Sequence, residues 1–366
     1  MREAEVDEVL FVTTAKEDGE GERSTYPLLQ AALAQGAQNA PQLRLLHCTV
    51  IGRFRAAQLN LAVHDVRERY CRDGAGASRV WIGVYNADSR PQASTFGELR
   101  ERAKAEKDTR LYQQLVDYVV PRRPGVSWLA TGNAVLQTWW TQGHYWARNS
   151  RGSSSLRWWS ATSPFSTFGH GEFIRLDLLD EIGGFPDFAY ADGLLLGWIC
   201  RLMGERIGLL ASRDRAEVPR TVRDLLVQQH AWLRGLLNFN MTERWARENG
   251  RLRLAEPQLI LLRYEHLAIP VAWGLSTPVV LAGMAVMIRR FKRSEATVAD
   301  FTCLLGLATY PVIPAFASAA GYNDKTPWFV RSIAAAASWV VEGLAFWPAA
   351  VSHVRKSQTA PAKTPR

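Results

Sequence analysis

The chain has 366 residues, 47% of them hydrophobic and 22% charged, and its 44 Lys and Arg outnumber 35 Asp and Glu for a net charge of +9. That length accommodates a catalytic domain of roughly 230 residues plus something smaller. Four widely spaced cysteines (Cys48, Cys71, Cys200 and Cys303), with no C-x-x-C pair, exclude a disulfide framework and a cysteine-rich zinc site.

In chain order, residues 1–8 are polar and acidic with no apolar run behind them, so no secretory signal is expected. Residues 8–14 (EVLFVTT) read as a buried strand and 26–38 as a helix. Residues 43–50 read as the next strand, 55–70 as a helix, and 79–85 (RVWIGVY) as a third strand that ends at Asn86-Ala87-Asp88. Alternating strands and amphipathic helices predict an α/β domain with a mostly parallel sheet. Ligands of open α/β sheets sit at the carboxyl ends of strands, which places Asp88 well for chemistry. Residues 97–118 read as helical, as do 176–181 and 194–203 around the turn Gly183-Gly184-Phe185-Pro186. Between them, 139–168 is a polar stretch with Trp139, Trp140, Trp146, Trp158 and Trp159, fitting a sugar-stacking surface, contact with a bilayer interface, or plain packing.

Apolar segments follow near 267–288, 301–320 and 333–354. Each has about 20 residues, enough to cross a hydrocarbon core of roughly 30 Å. The basic clusters Arg289-Arg290-Phe291-Lys292-Arg293 and Arg355-Lys356 each follow an apolar run, which favours lipid headgroups over nucleic acid as partner. No zinc-finger, RRM or helix-turn-helix pattern accompanies the charge, so no nucleic-acid partner is expected. The positive-inside rule puts both clusters on the cytoplasmic side. Pro270 and Pro278 interrupt the first segment, which then reads as a span, a re-entrant piece or an interfacial helix. The expected organisation is a catalytic domain over 1–240, an interfacial linker over 241–265, two or three membrane helices over 266–354 and a basic disordered tail over 355–366. The expectation is a multi-pass protein of the plasma membrane with a cytoplasmic catalytic domain, which requires the first segment to be re-entrant or interfacial, because a single crossing would put that domain outside.

Four patches occur in order: Gly52-Arg53-Phe54-Arg55 leading to Asn60; Tyr85-Asn86-Ala87-Asp88-Ser89-Arg90-Pro91; Gly169-His170-Gly171-Glu172-Phe173, running through Gly183-Gly184-Phe185-Pro186 to Ala191-Asp192-Gly193; and Gln228-Gln229-His230-Ala231-Trp232. Together they resemble the family 2 glycosyltransferases of GT-A fold, the group that includes cellulose- and hyaluronan-synthase-like enzymes, over roughly residues 8–240. The resemblance implies an inverting transfer from a nucleotide sugar, a UDP-sugar first among the candidates, to a glycan or lipid-linked acceptor. It implies Asp88 as ligand of a divalent cation (Mg2+ or Mn2+), Asp192 as general base, and Arg55, Asn86, Gln228 and Trp232 on the donor. His170 and Glu172 fall on the acceptor side. The chemistry demands such groups: a departing nucleoside diphosphate gains negative charge, and the acceptor hydroxyl must lose a proton. As bare residues, Asp88 also fits a turn cap and Asp192 a helix N-cap.

The chain departs from the family pattern in four ways. Asn86 replaces the first Asp of D-x-D, Ala191 the Glu of E-D, and Ala231 the Arg of Q-x-x-R-W, with Arg234 three residues on. Residues 8–18 resemble the family's second strand, so the nucleobase-contacting unit before it is expected to be missing. A degenerate, non-catalytic subunit of a glycan synthesis or export complex is the alternative these departures raise.

Overall fold

The computed structural model describes residues 6–15, 25–36, 42–49, 55–72, 76–144, 147, 151–152, 158–159, 162–163, 166–189, 191–309, 313 and 326–354. Expectations for 52–54, Trp146, most of 310–325 and the 355–366 tail lie outside them. The chain divides into two compact units. The first comprises Met1–Leu115, Ser166–Asp214 and Thr242–Arg253; the second comprises Val116–Phe165, Arg215–Met241 and Leu254–Arg366.

In the first unit, β1 (Glu8–Thr14) and β2 (Gln42–Cys48) pair in parallel; β1 is rich in the β-branched residues that favour strands, and β2 is carried by its leucines. Helix α1 (Thr25–Gly36) connects them, and α2 (Arg55–Tyr70) follows. A second sheet has the order β3-β5-β4-β6, formed by Trp81–Val84, Glu172–Arg175, Leu111–Val119 and Ile207–Glu217. The parallel arrangement expected from sequence holds for β1 and β2; β5 runs antiparallel to both β3 and β4. Helices α3 (Thr95–Ala105), α5 (Leu176–Ile182) and α6 (Asp192–Leu202) belong to the same unit.

Its core is aromatic. Phe173 on β5 meets Tyr85 and Phe96 edge-on at 5.8 and 6.0 Å between ring centroids, over Leu99, Tyr112 and Leu210. Gly83 lies directly across from Phe173, and a Cβ there would come within 2.7 Å of the ring. The helix expected over 97–118 is a correction: it ends at Ala105, and Leu111–Val119 is a strand. Leu111 to Val116 are buried on both faces, so this central strand lacks the alternation by which a half-exposed strand is recognised.

In the second unit, helix α4 (Leu129–Trp139) lies against α11 (Trp328–Val354) with backbones in contact, because a Cβ on Gly132 would overlap the Ala334 carbonyl. Asn133 donates to Glu342 Oε1 at 2.7 Å, and Ser338 donates to the Leu129 carbonyl at 3.0 Å. Helix α7 (Val222–Leu236) packs Leu233 against Ala345, Phe346 and Ala349 of α11. Helix α9 (Glu256–Lys292) is one continuous helix that carries Pro270 and Pro278 in its interior. Trp140 stacks on its Trp273 at 5.0 Å, which makes that tryptophan a packing residue. Among the described residues two helices, α9 and α11, are long and apolar enough to cross a membrane. Of the expected middle segment, 301–320, the described helical part is Val298–Thr309, designated α10. The first unit also contains α8 (Phe239–Glu248) in part.

Candidate active site

The first unit brings two helix N-termini together. Arg55 is the first residue of α2 and Asp192 the first of α6. Arg55 Nε donates to Asp192 Oδ2 at 3.0 Å, and its Nη2 lies 2.9 Å from the same oxygen. Arg55 Nη1 donates to Asn86 Oδ1 at 3.0 Å and Nη2 to the Gly169 carbonyl at 2.7 Å. One guanidinium therefore ties together residues from four separate stretches of sequence. A carboxylate is favoured at a helix N-terminus and a cation disfavoured, so the ion pair offsets the poor placement of Arg55. Desolvation is the largest influence on Arg55 and lowers its pKa, although 36% of the side chain stays accessible. The charges of Asp192 and Glu172 outweigh it, and the net direction is up.

Glycines permit this approach. Gly169 has φ +86°, and a Cβ there would come within 2.6 Å of Arg55 Nη2. Gly193 and Gly197 share one face of α6, on which the segment from Ser166 to Gly169 rests backbone to backbone. Thr167 donates to the Gly193 carbonyl, and Ser166 to that of Leu194 at 2.8 Å. Gln113 of β4 holds the segment from below: its Oε1 accepts from the Phe168 N–H and its Nε2 donates to the His170 carbonyl, both at 3.0 Å. Ala191 takes a left-handed conformation, φ 64°, immediately before Asp192. For a residue with a Cβ that costs on the order of 1 kcal/mol, held here by the turn into α6.

Glu172 is fully buried beside this group. Neither carboxylate oxygen reaches hydrogen-bonding geometry with a described donor. Burial, then the charge of Asp192, pushes its pKa up to about 7, and Arg55, the Thr167 hydroxyl and the Gly169 N–H offset only part of the rise. The folded chain thus keeps a proton that the unfolded chain, with an ordinary value of 4.5, releases. Stability is then greatest below that value and falls as pH rises through about 7. Glu172→Gln should flatten this dependence. Urea midpoints measured from pH 5 to 8 are expected to show the variant gaining on the native chain by up to roughly 3 kcal/mol at the alkaline end; parallel curves would contradict the assignment.

His170 is buried, with Nδ1 3.2 Å from Asp214 Oδ2, while Asp214 Oδ1 accepts from the Arg90 N–H at 2.8 Å. Asp214 so braces the 168–171 loop against the turn that carries Asn86. His170 and Glu172, expected on the acceptor side, are both buried, as is Asp192. Asp214 and Gln113, which hold the 168–171 segment, were not singled out by the motifs. Asp214 was signalled by phase: on β6 it alternates in step with the buried Leu210, Ser212 and Ala216.

Asp88 follows Asn86 in a turn closed by the Ser89 N–H on the Asn86 carbonyl at 3.0 Å. Among the described residues no three His, Cys, Asp or Glu side chains gather to hold a metal ion. Asn86 Oδ1 is already occupied by Arg55. Asp88 is the carboxylate within that turn, and Mg2+ or Mn2+ commonly rests on one or two carboxylates plus substrate phosphates. Gln228 and Trp232 belong to the second unit. Gln228 Oε1 accepts from Gln137 Nε2 at 2.9 Å, and Trp232, one turn on, is exposed.

The architecture is thus a mixed α/β domain with an acidic and basic pair at the ends of its elements. The glycosyl transferase family group 2 model matches residues 81–323, about two-thirds of the chain, and the chain belongs to that family. Its domain is a GT-A-type glycosyltransferase domain followed by the two candidate membrane helices. None of the curated proteins matches it. Among solved structures it is similar to the mannosyltransferase PcManGT from Pyrobaculum calidifontis in complex with GDP-Man and Mn2+, at 15% identity, covering 95% of this chain and 78% of that one with a TM-score of 0.46.

Proposed function

We propose that this glycosyltransferase is membrane-bound and inverting, and moves a sugar from a nucleotide sugar to a glycan or lipid-linked acceptor. The observation that carries the reading is the Arg55–Asp192 pair: both contacts fall on Oδ2. Oδ1, which makes neither of these contacts, is assigned to take the proton of an acceptor hydroxyl. As the acceptor oxygen bonds to the anomeric carbon, the bond from that carbon to the diphosphate oxygen breaks and the nucleoside diphosphate leaves with the electron pair. Asp88 would hold a divalent cation, which would supply charge neutralisation to that leaving group. Gln228 and Trp232 are assigned to substrate, Trp232 as an exposed stacking face.

Membrane attachment rests on α9, where Ile260, Tyr264, Leu267, Leu275, Val279, Val286 and Ile288 are all exposed. At about 1.5 Å per residue its length exceeds the bilayer core. The basic residues Arg289, Arg290 and Lys292 close it, a charge that suits anionic lipid headgroups.

The test is release of nucleoside diphosphate from a panel of UDP- and GDP-sugars by detergent-solubilised protein, with Mg2+ or Mn2+. Turnover of at least one donor is expected. Micromolar binding by calorimetry without turnover would instead favour the non-catalytic subunit, the reading in line with Gln228 being engaged by Gln137.

A further inference from the structure

Asn86 stands where the resembling enzymes carry an aspartate, and the geometry gives that difference a purpose. Four contacts leave the Arg55 guanidinium, to Asp192 twice, to Asn86 and to the Gly169 carbonyl. Only one of these acceptors, Asp192, is ionic. Glu172, the other charged group facing the guanidinium, makes no hydrogen bond to it. Asn86 Oδ1 therefore orients Arg55 without competing for its charge. A carboxylate at position 86 has the same reach and would add a second anion to a single cation, drawing the guanidinium off Asp192.

We propose that Asn86 is a positioning residue, whose neutral amide commits Arg55 to Asp192 and so holds that carboxylate with Oδ1 turned to the acceptor. This rests on the reading of Asp192 as general base. It takes Asn86 away from the donor and makes Arg55 the link through which it acts. It also accounts for two features at once: an N-x-D turn after β3, and an arginine opening α2 with its side chain threaded past Gly169.

The experiment is a double-mutant cycle in the full chain, with the donor that the native protein turns over. Asn86→Asp is expected to lower kcat about tenfold with donor KM changed less than about twofold, within the range of general-base effects. Asn86→Ala, which removes one orienting bond and adds no charge, should cost less than Asn86→Asp. In an Arg55→Ala background Asn86→Asp should have no further effect on kcat, since interacting residues are non-additive. Equal, multiplicative losses in both backgrounds would overturn the proposal, as would a rise in donor KM at unchanged kcat for either Asn86 variant. Should Asn86→Asp fail to fold, Asn86→Ala still decides between a kcat and a KM effect. No turnover by the native chain sinks the transfer reading and this inference with it. Turnover with additive variants sinks the inference alone.

Discussion

Asp192→Asn is expected to lower kcat by about 1000-fold while donor KM stays within about threefold, as removal of a general base does. The substitution keeps size and polarity, and an amide still accepts from Arg55 through its oxygen. What disappears is the capacity to receive a proton at Oδ1. Initial rates of nucleoside diphosphate release, with circular dichroism to verify the fold, measure this. A variant that retains even a third of native kcat would remove Asp192 from the chemistry.

Gly193→Ala is expected to be the most damaging conservative change in the first unit. A Cβ at that position overlaps the backbone N and Cα of Gly169, and backbone cannot turn aside as a side chain does. Overpacking costs about 1–3 kcal/mol, and the segment that carries the Gly169 carbonyl must lift off α6. Arg55 would lose that acceptor, so activity should fall further than stability alone accounts for. Gly97→Ala is the matched control: nothing lies within 4 Å of its position inside α3. It should stabilise by roughly 0.5–1 kcal/mol. Thermal melts of the two variants compare the effects, and equal melting temperatures would show that the contact between α6 and the loop is not tight.

Much of this was legible in residues alone. The strand over 8–14 and the helix over 55–70 coincide with the observed Glu8–Thr14 and Arg55–Tyr70, the first as a short run rich in apolar and β-branched residues and the second as a long stretch without glycine or proline. Arg55, Asn86 and Asp192 were named from motif order, and the structure places them on one guanidinium. Their mutual bonds were not legible, since 31 and 137 residues separate Arg55 from its two side-chain partners. The strand Leu111–Val119 was hidden by burial on both faces, and Glu172–Arg175 by being only four residues long. The burial of His170 and Glu172 was equally hidden, because polar residues in a glycine-rich patch read as exposed loop. Gly193 and Gly197, four apart on a helix, did carry a signal: small residues at that spacing mark where another backbone comes close.

The proposed transfer is a single displacement at the anomeric carbon, with Asp192 receiving the acceptor proton. The decisive measurement is the configuration of the newly formed linkage, read by proton NMR of the product before mutarotation. An anomeric configuration opposite to that of the donor sugar is expected. Retention of the donor's configuration would contradict it.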